Sequence, residues 1–211
     1  METLAQKQVE LIVKTMADTA LKNETYFSDL DAVMGDADFG TSLAGGFRAI
    51  LAKWDSFDMS SIGSFLLNAS SVITANTGGC SGPVWGTLFM RCGMAFRDKT
   101  EVTLEEIIAA LKSAVEGIMK RGGAKLGDKT LVDALDAIII SLESSLAIND
   151  SIMAAFEKAS NAAVLMRETS KDWVAMRGRQ SFTGDRSSGT YDPGIVAVGE
   201  MTKAIVAALS E

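Results

Sequence analysis

Asp31, Asp36 and Asp38 lie within eight residues of one another in the stretch LDAVMGDADFGTSLAGG, residues 30–46, and a Gly-Thr-Ser turn follows them at once. Asp36 and Asp38 are two apart, so an extended backbone would point both side chains the same way, with Asp31 about one helical turn upstream. Three like charges in hydrogen-bonding range repel one another and raise one another's pKa. A bound cation is the simplest device that keeps all three ionised. Magnesium suits such a set, because it takes hard oxygen ligands, keeps several waters and is completed by substrate phosphates. The EF-hand spacing with its closing Glu is missing. A solvated acidic loop whose aspartates cap helices is the alternative reading of the same spacing.

Three further segments could hold an anion. In TGGCSGPVWG, Thr77 to Gly86, the glycines Gly78, Gly79 and Gly82 allow close backbone approach, Ser81 offers a hydroxyl and Pro83 suits the first turn of a following helix. Exposed amides at such a helix start attract phosphate. The segment lacks the GK[ST] ending of a Walker loop and no strand precedes it, as a Rossmann fingerprint requires. A tight helix–helix connection would look the same. RGGAKLGDKT, Arg121 to Thr130, places Lys125 and Lys129 in a Gly-rich junction that also reads as one helix ending and the next being capped. MRGRQSFTGDRSSGTYDPG, Met176 to Gly194, runs without helical period and carries Arg177, Arg179 and Arg186, which could face a phosphate. Loops of that length in a compact domain are usually functional or disordered, and the Tyr-Asp-Pro-Gly exit favours an ordered one.

Composition narrows the chemistry. The chain has 211 residues and no histidine, which excludes a phosphohistidine relay, a Ser-His-Asp triad and His metal ligands on this chain. Acid, base or ligand chemistry must then rest on carboxylates, Lys, Arg, hydroxyls, thiols or amides. A net charge of −7 argues against a nucleic-acid partner, whose backbone is held by clustered Lys and Arg. Cys80 and Cys92 have no partner pattern for zinc or disulfides and read as buried free thiols in a reducing cytosol. The N-terminal METLAQKQVELIVK shows no signal-peptide pattern, and no apolar run approaches the roughly 20 residues of a membrane span. A cytoplasmic protein without a membrane partner is expected.

The elements that must position these loops are helical. Two prolines, few aromatics and abundant Ala, Leu, Ile and Met suit close-packed helices better than sheets. Leu4, Val9, Ile12, Val13, Met16 and Ala20 form one face of a first helix, with Thr3 placed to cap it. A short second helix ends near Gly35. Further helices are expected over Leu43–Trp54, Ile62–Thr74, Val84–Arg97, Leu104–Met119, Leu131–Leu146 and Ile152–Val174, and from Ile195 onward, with Thr103 and Glu106 forming a capping box. That makes eight or nine helices, no convincing strand and one domain over residues 1–211. The four motif segments fall at about every second connection, and in an up-and-down array alternate connections share one end. Acidic ligands and Gly-rich anion loops at one end describe a magnesium–nucleotide site.

LDAVMGDADFG, TGGCSGPVWGT, RGGAKLGDKTLVDAL and GRQSFTGDRSSGTYDPG, in this order, resemble the L subunit of dihydroxyacetone kinase, the nucleotide-binding part of that enzyme, over nearly the full chain. The resemblance implies an all-α, antiparallel eight-helix barrel holding ADP or ATP and two magnesium ions in loops at one end. It implies Asp31, Asp36 and Asp38 as metal ligands. It implies nucleotide contacts from Phe39, Gly40, Thr41, Ser42, Cys80, Ser81, Gly122, Leu131, Arg179, Asp192, Pro193 and Gly194. The implied activity is phosphoryl transfer to a short ketose held on a separate K subunit, from ATP or from ADP recharged by a phosphotransferase-system phosphocarrier. Two positions depart from the family pattern: Phe39 stands where a His follows GDxD, and Thr190 where a His follows Gly in the last motif. The Gly40-Thr41 pair looks more like the ATP-dependent kinases. A non-catalytic nucleotide-binding module that regulates a partner, such as a transcription factor, is the rival expectation.

Overall fold

The computed structural model describes residues 2–211. Among these the α-helices are α1 (Gln6–Lys22), α2 (Glu24–Ala32), α3 (Phe39–Lys53), α4 (Ile62–Asn76), α5 (Ser81–Phe96), α6 (Leu104–Gly122), α7 (Leu131–Ala147), α8 (Ile152–Thr169) and α9 (Pro193–Leu209). Side-chain caps fix where several of them start. Ser61, Thr103, Thr130, Ser151 and Asp192 each accept a bond from an amide of the first turn, and Thr103 with Glu106 forms the expected capping box.

Eight of these helices close into a ring in which each packs on its neighbours: α1 on α3, then α4, α5, α6, α7, α8 and α9 in succession, with α9 returning to α1. Successive helices of the ring pack side by side and α9 closes on α1, so the expected eight-helix barrel is the observed architecture. The small α2 sits outside the ring against α3 and α9. Phe47 anchors the core edge-on to Trp85 and Phe89, with centroids 5.9 and 6.3 Å apart. Among the described residues, no helix is long and apolar enough to cross a membrane.

Some details differ from the sequence expectation: α5 starts at Ser81 rather than Val84, and α8 ends at Thr169 rather than Val174. Thr3 does not cap α1: β1 (Thr3–Ala5) pairs antiparallel with β2 (Glu101–Thr103), and Thr3 donates its hydroxyl hydrogen to Glu101 at 2.9 Å. The pair sets buried Leu4 beside buried Val102 at the end of the barrel away from the motif loops. Both strands are too short for a period-two pattern to show in the sequence. Above this floor, helices α1 and α4 to α9 enclose an apolar cavity of about 220 Å³, lined by Val13, Trp85, Leu135, Leu142 and Val198 among others.

Helix α3 also begins at Phe39 rather than Leu43. Its Gly40, which reads as part of a turn, is helical and buried, and a Cβ there would run into the backbone carbonyl of Glu24. The glycine serves the close approach of α3 to α2.

Candidate nucleotide and metal site

The four connections α2–α3, α4–α5, α6–α7 and α8–α9 open at one end of the barrel and wall a single cavity of about 660 Å³. The first residues of α3, α5, α7 and α9 (Phe39, Ser81, Leu131 and Pro193) all stand in its wall. Four helix N-termini therefore face one space, each carrying roughly half a positive charge, a setting that attracts phosphate.

The acidic cluster lies at the α3 side of this cavity. Asp31 is buried in the last turn of α2, and its Oδ2 accepts from the amides of Asp38 and Phe39 at 3.1 and 3.4 Å. Gly35 makes room for it, since a Cβ at that position would collide with the Asp31 carboxylate. The backbone between the other two aspartates is not extended. Ala37 has φ 62°, in the left-handed region that costs a non-glycine residue about 1 kcal/mol or more, and this turn brings Asp36 and Asp38 round to Asp31. One carboxylate oxygen from each of the three lies within 4.8 Å of the others.

Desolvation, then the charges of Asp36 and Asp31, push the Asp38 carboxyl above its ordinary value, while Arg179 works against them. Arg179 Nε lies 2.8 Å from Asp36 Oδ1, and its Nη2 lies 3.7 Å from Asp38 Oδ2. This pair is largely exposed to water and contributes at most about 1 kcal/mol, so a divalent cation can displace it. Three converging hard oxygens that few protein hydrogens occupy are a donor set that fits magnesium.

The α6–α7 connection is built differently. Gly123 ends α6 in the left-handed conformation, and Thr130 caps α7 with Asp133, as the cap-to-cap reading anticipates. Asp133 accepts from the amides of Gly127 and Thr130, both at 2.7 Å, and Asp128 accepts from the Lys125 amide at 2.8 Å and from Arg177 Nε at 3.0 Å. Arg177 also donates to the Gly123 carbonyl, which fastens the α8–α9 loop to this junction. Lys125 is exposed and Lys129 is buried; neither lines the cavity.

Most residues singled out from sequence meet here. Phe39, Cys80, Ser81, Gly122, Leu131, Arg179, Asp192, Pro193 and Gly194 wall the cavity together with the three aspartates. Gly40, Thr41 and Ser42 do not: they lie within the first turns of α3, where Thr41 is exposed and Ser42 lies beneath Gly78. Arg186 stays outside the wall, and Thr190 donates to the Ser187 carbonyl at 2.6 Å.

Cys80 departs from the buried thiol expected of it, being exposed at the cap of α5. Cys92 is packed inside, and burial pushes its thiol up to about 12. Asp192, the cap of α9, sits against the apolar wall, and burial pushes its carboxyl up to about 7 while the Ile195 amide and Lys129 draw it back.

Sequence reasoning missed Gln180, which is buried in the wall, and Phe182, which stands 87% exposed at its edge. The loop is not irregular throughout, as its lack of period suggests; Arg179–Ser187 winds as 3₁₀ turns kinked at Gly184. No periodic signal marks so tight a coil.

An all-helical barrel whose loops gather an acidic cluster and four helix starts at one end defines the helical-barrel class seen in dihydroxyacetone kinases. The chain belongs to the DAK2 domain family, whose model matches residues 33–207. It is 32% identical over 209 residues to the ADP-binding subunit DhaL of PEP-dependent dihydroxyacetone kinase from Escherichia coli, covering 99% of this chain and 100% of that one. It is 30% identical to the L-erythrulose 1-kinase of Mycolicibacterium smegmatis, covering 94% of this chain and 35% of the relative. The crystal structure of the dihydroxyacetone kinase from C. freundii in complex with AMP-PNP and Mg2+ superposes with a TM-score of 0.71 at 25% identity, over all of this chain and 35% of that one. The resemblance to the dihydroxyacetone kinase L subunit, read from four motifs, holds across the whole chain.

Proposed function

We propose that this chain is the nucleotide-carrying subunit of a cytoplasmic ketose kinase. It holds ADP or ATP with magnesium in the 660 Å³ cavity and passes a phosphoryl group to dihydroxyacetone, or to a related short ketose such as erythrulose, bound on a separate K-type subunit. The observation that carries this reading is the convergence of Asp31, Asp36 and Asp38 with four helix N-termini on one cavity. The relatives named above support the nucleotide and the ketose.

Phosphoryl transfer asks a protein for positioning and charge neutralisation more than for covalent help. Asp31, Asp36 and Asp38 would hold magnesium, which supplies a Lewis acid that neutralises phosphate charge. Ser81 and the amides at the starts of α5 and α7 orient the phosphates. Leu131, Pro193 and Gly194 pack the apolar part of the nucleotide, and Asp192 caps the helix that presents them. Arg179 stands over the acidic cluster, where its guanidinium can pair with phosphate once the cation takes the carboxylates. The chain has no histidine to hold a ketose carbonyl, so the acceptor belongs to a partner.

The donor is ATP, or a phosphotransferase-system phosphocarrier that recharges bound ADP. Purified protein identifies which. Mass spectrometry of the retained nucleotide, followed by a ketose phosphorylation assay with a K subunit and either donor, gives turnover with one of the two. Absence of turnover with both, alongside tight nucleotide binding, would leave a regulatory module in place of a kinase.

A further inference from the structure

Lys129 joins two of the four site loops, and its surroundings differ from those of a phosphate-gripping lysine. It is 1% exposed. Its φ of 62° is a left-handed conformation that a side chain normally avoids. An ammonium has three hydrogens and no acceptor. All three of its bonds here go to backbone carbonyls of the α8–α9 connection: Lys171 at 2.9 Å, Trp173 at 3.1 Å and Ser187 at 2.7 Å.

Those carbonyls lie at the two ends of residues 171–187, the segment that carries Arg177, Arg179, Gln180 and Phe182. Around the ammonium, Ser187 Oγ accepts from the Ala175 amide and donates to the Gly184 carbonyl, and the Gly189 amide returns to the Lys171 carbonyl. Burial draws the Lys129 pKa down, while Asp192 and Asp172 push it back up.

We infer that Lys129 is a positioning residue whose ammonium gathers both ends of residues 171–187 into a strap that holds Arg179 over Asp36 and Asp38. The inference rests on the reading that the cavity binds a magnesium nucleotide. The charge does the work of a loop-organising cation: three carbonyl dipoles point at it, and no neutral side chain of similar length supplies three donors to them. Lys129 lies outside the cavity wall, so it acts through Arg179 and touches no ligand. A residue that merely stabilised the barrel would change the melting temperature and leave the affinity of the folded protein unaltered.

The test uses the full chain as wild type, Lys129→Met, Lys129→Arg, Arg179→Ala and the double variant, with magnesium and ADP as the probe. Titration calorimetry should show ADP binding weakened about tenfold to a hundredfold in Lys129→Met, the range seen when an outer-shell support is removed, with partial recovery in Lys129→Arg. Hydrogen exchange should lose protection over residues 171–190 alone. The double variant should bind ADP no more weakly than Arg179→Ala, because both changes remove one effect. Wild-type affinity in Lys129→Met, or additive losses in the double variant, overturns the inference. If Lys129→Met does not fold, nitrogen-detected NMR of the wild type decides. Slowly exchanging Lys129 ammonium hydrogens support the strap, and exchange as fast as in surface lysines overturns it. A wild type that binds no ADP would end the nucleotide reading while the exchange measurements still decide the strap.

Discussion

Two aspartate-bearing loops share one end of the barrel, GDADFG before α3 and LGDKTLVD before and within α7. Each carries two aspartates within a few residues, and they differ in what fills those carboxylates. Asp133 has an amide hydrogen on each oxygen, and Asp128 is held by an amide and by Arg177. Asp36 and Asp38 face each other and Asp31, with the water-exposed Arg179 as their counter-charge. Asp133, saturated with backbone donors, is a structural clasp; Asp36 and Asp38, which accept no amide, are the proposed cation ligands, and Asp31 combines two amides on Oδ2 with a place in their cluster. The count of aspartates does not separate Asp36 and Asp38 from Asp133; the supply of nearby N–H groups does.

Substitutions that exchange the behaviour of the two loops would break this distinction. Asp36→Asn should lower phosphoryl transfer by roughly a thousandfold, the scale on which a charge-neutralising group matters at such a site, while a thermal melt stays at or above the wild-type midpoint. A fall in both would make Asp36 a clasp. Asp133→Ala should do the reverse, costing about 1–3 kcal/mol in urea unfolding by stripping two amides and a helix cap of their acceptor, with ADP affinity of the folded protein less affected. Gly35→Ala should shift the Asp31 carboxylate and weaken manganese binding, read by electron paramagnetic resonance, by about tenfold.

Asp192 stands between the two loops in character, with one oxygen held by the Ile195 amide at 2.8 Å and a carboxyl pushed up to about 7. Its protonated form is favoured in the folded chain. The stability it lends is therefore complete below the ordinary value of 3.8 and is lost as pH rises through about 7. Asp192→Asn should flatten the stability profile across that window, measured as the denaturation midpoint against pH.

The ring of helices was legible because 3.6-residue periodicity survives in α1, α4, α6 and α7, whose buried faces are continuous. The shared end of the four motifs followed from alternation alone. What escaped reading was local and stereochemical. Ala37 and Lys129 take left-handed backbone that their residue types do not announce, and the β1–β2 pair joins residues nearly a hundred positions apart in sequence. Gly40 to Ser42 read as a turn, yet tertiary contact with α2 recruits Gly40 into a helix. Lys129 reads as a cation available to phosphate, and only its three carbonyl partners show that the charge is spent inside the protein.

Closure of the barrel by α1 against α9 has a bearing on how the protein comes to be made. Helix α1 packs on both α3 and α9, so one of its two neighbours is made soon after it and the other only after α3 to α8. Helices α4 to α8 can pair with sequential neighbours as they emerge, through contacts of short sequence separation that form fast. Ring closure is then a late, long-range event, and until it occurs the side of α1 that meets α9 stays uncovered.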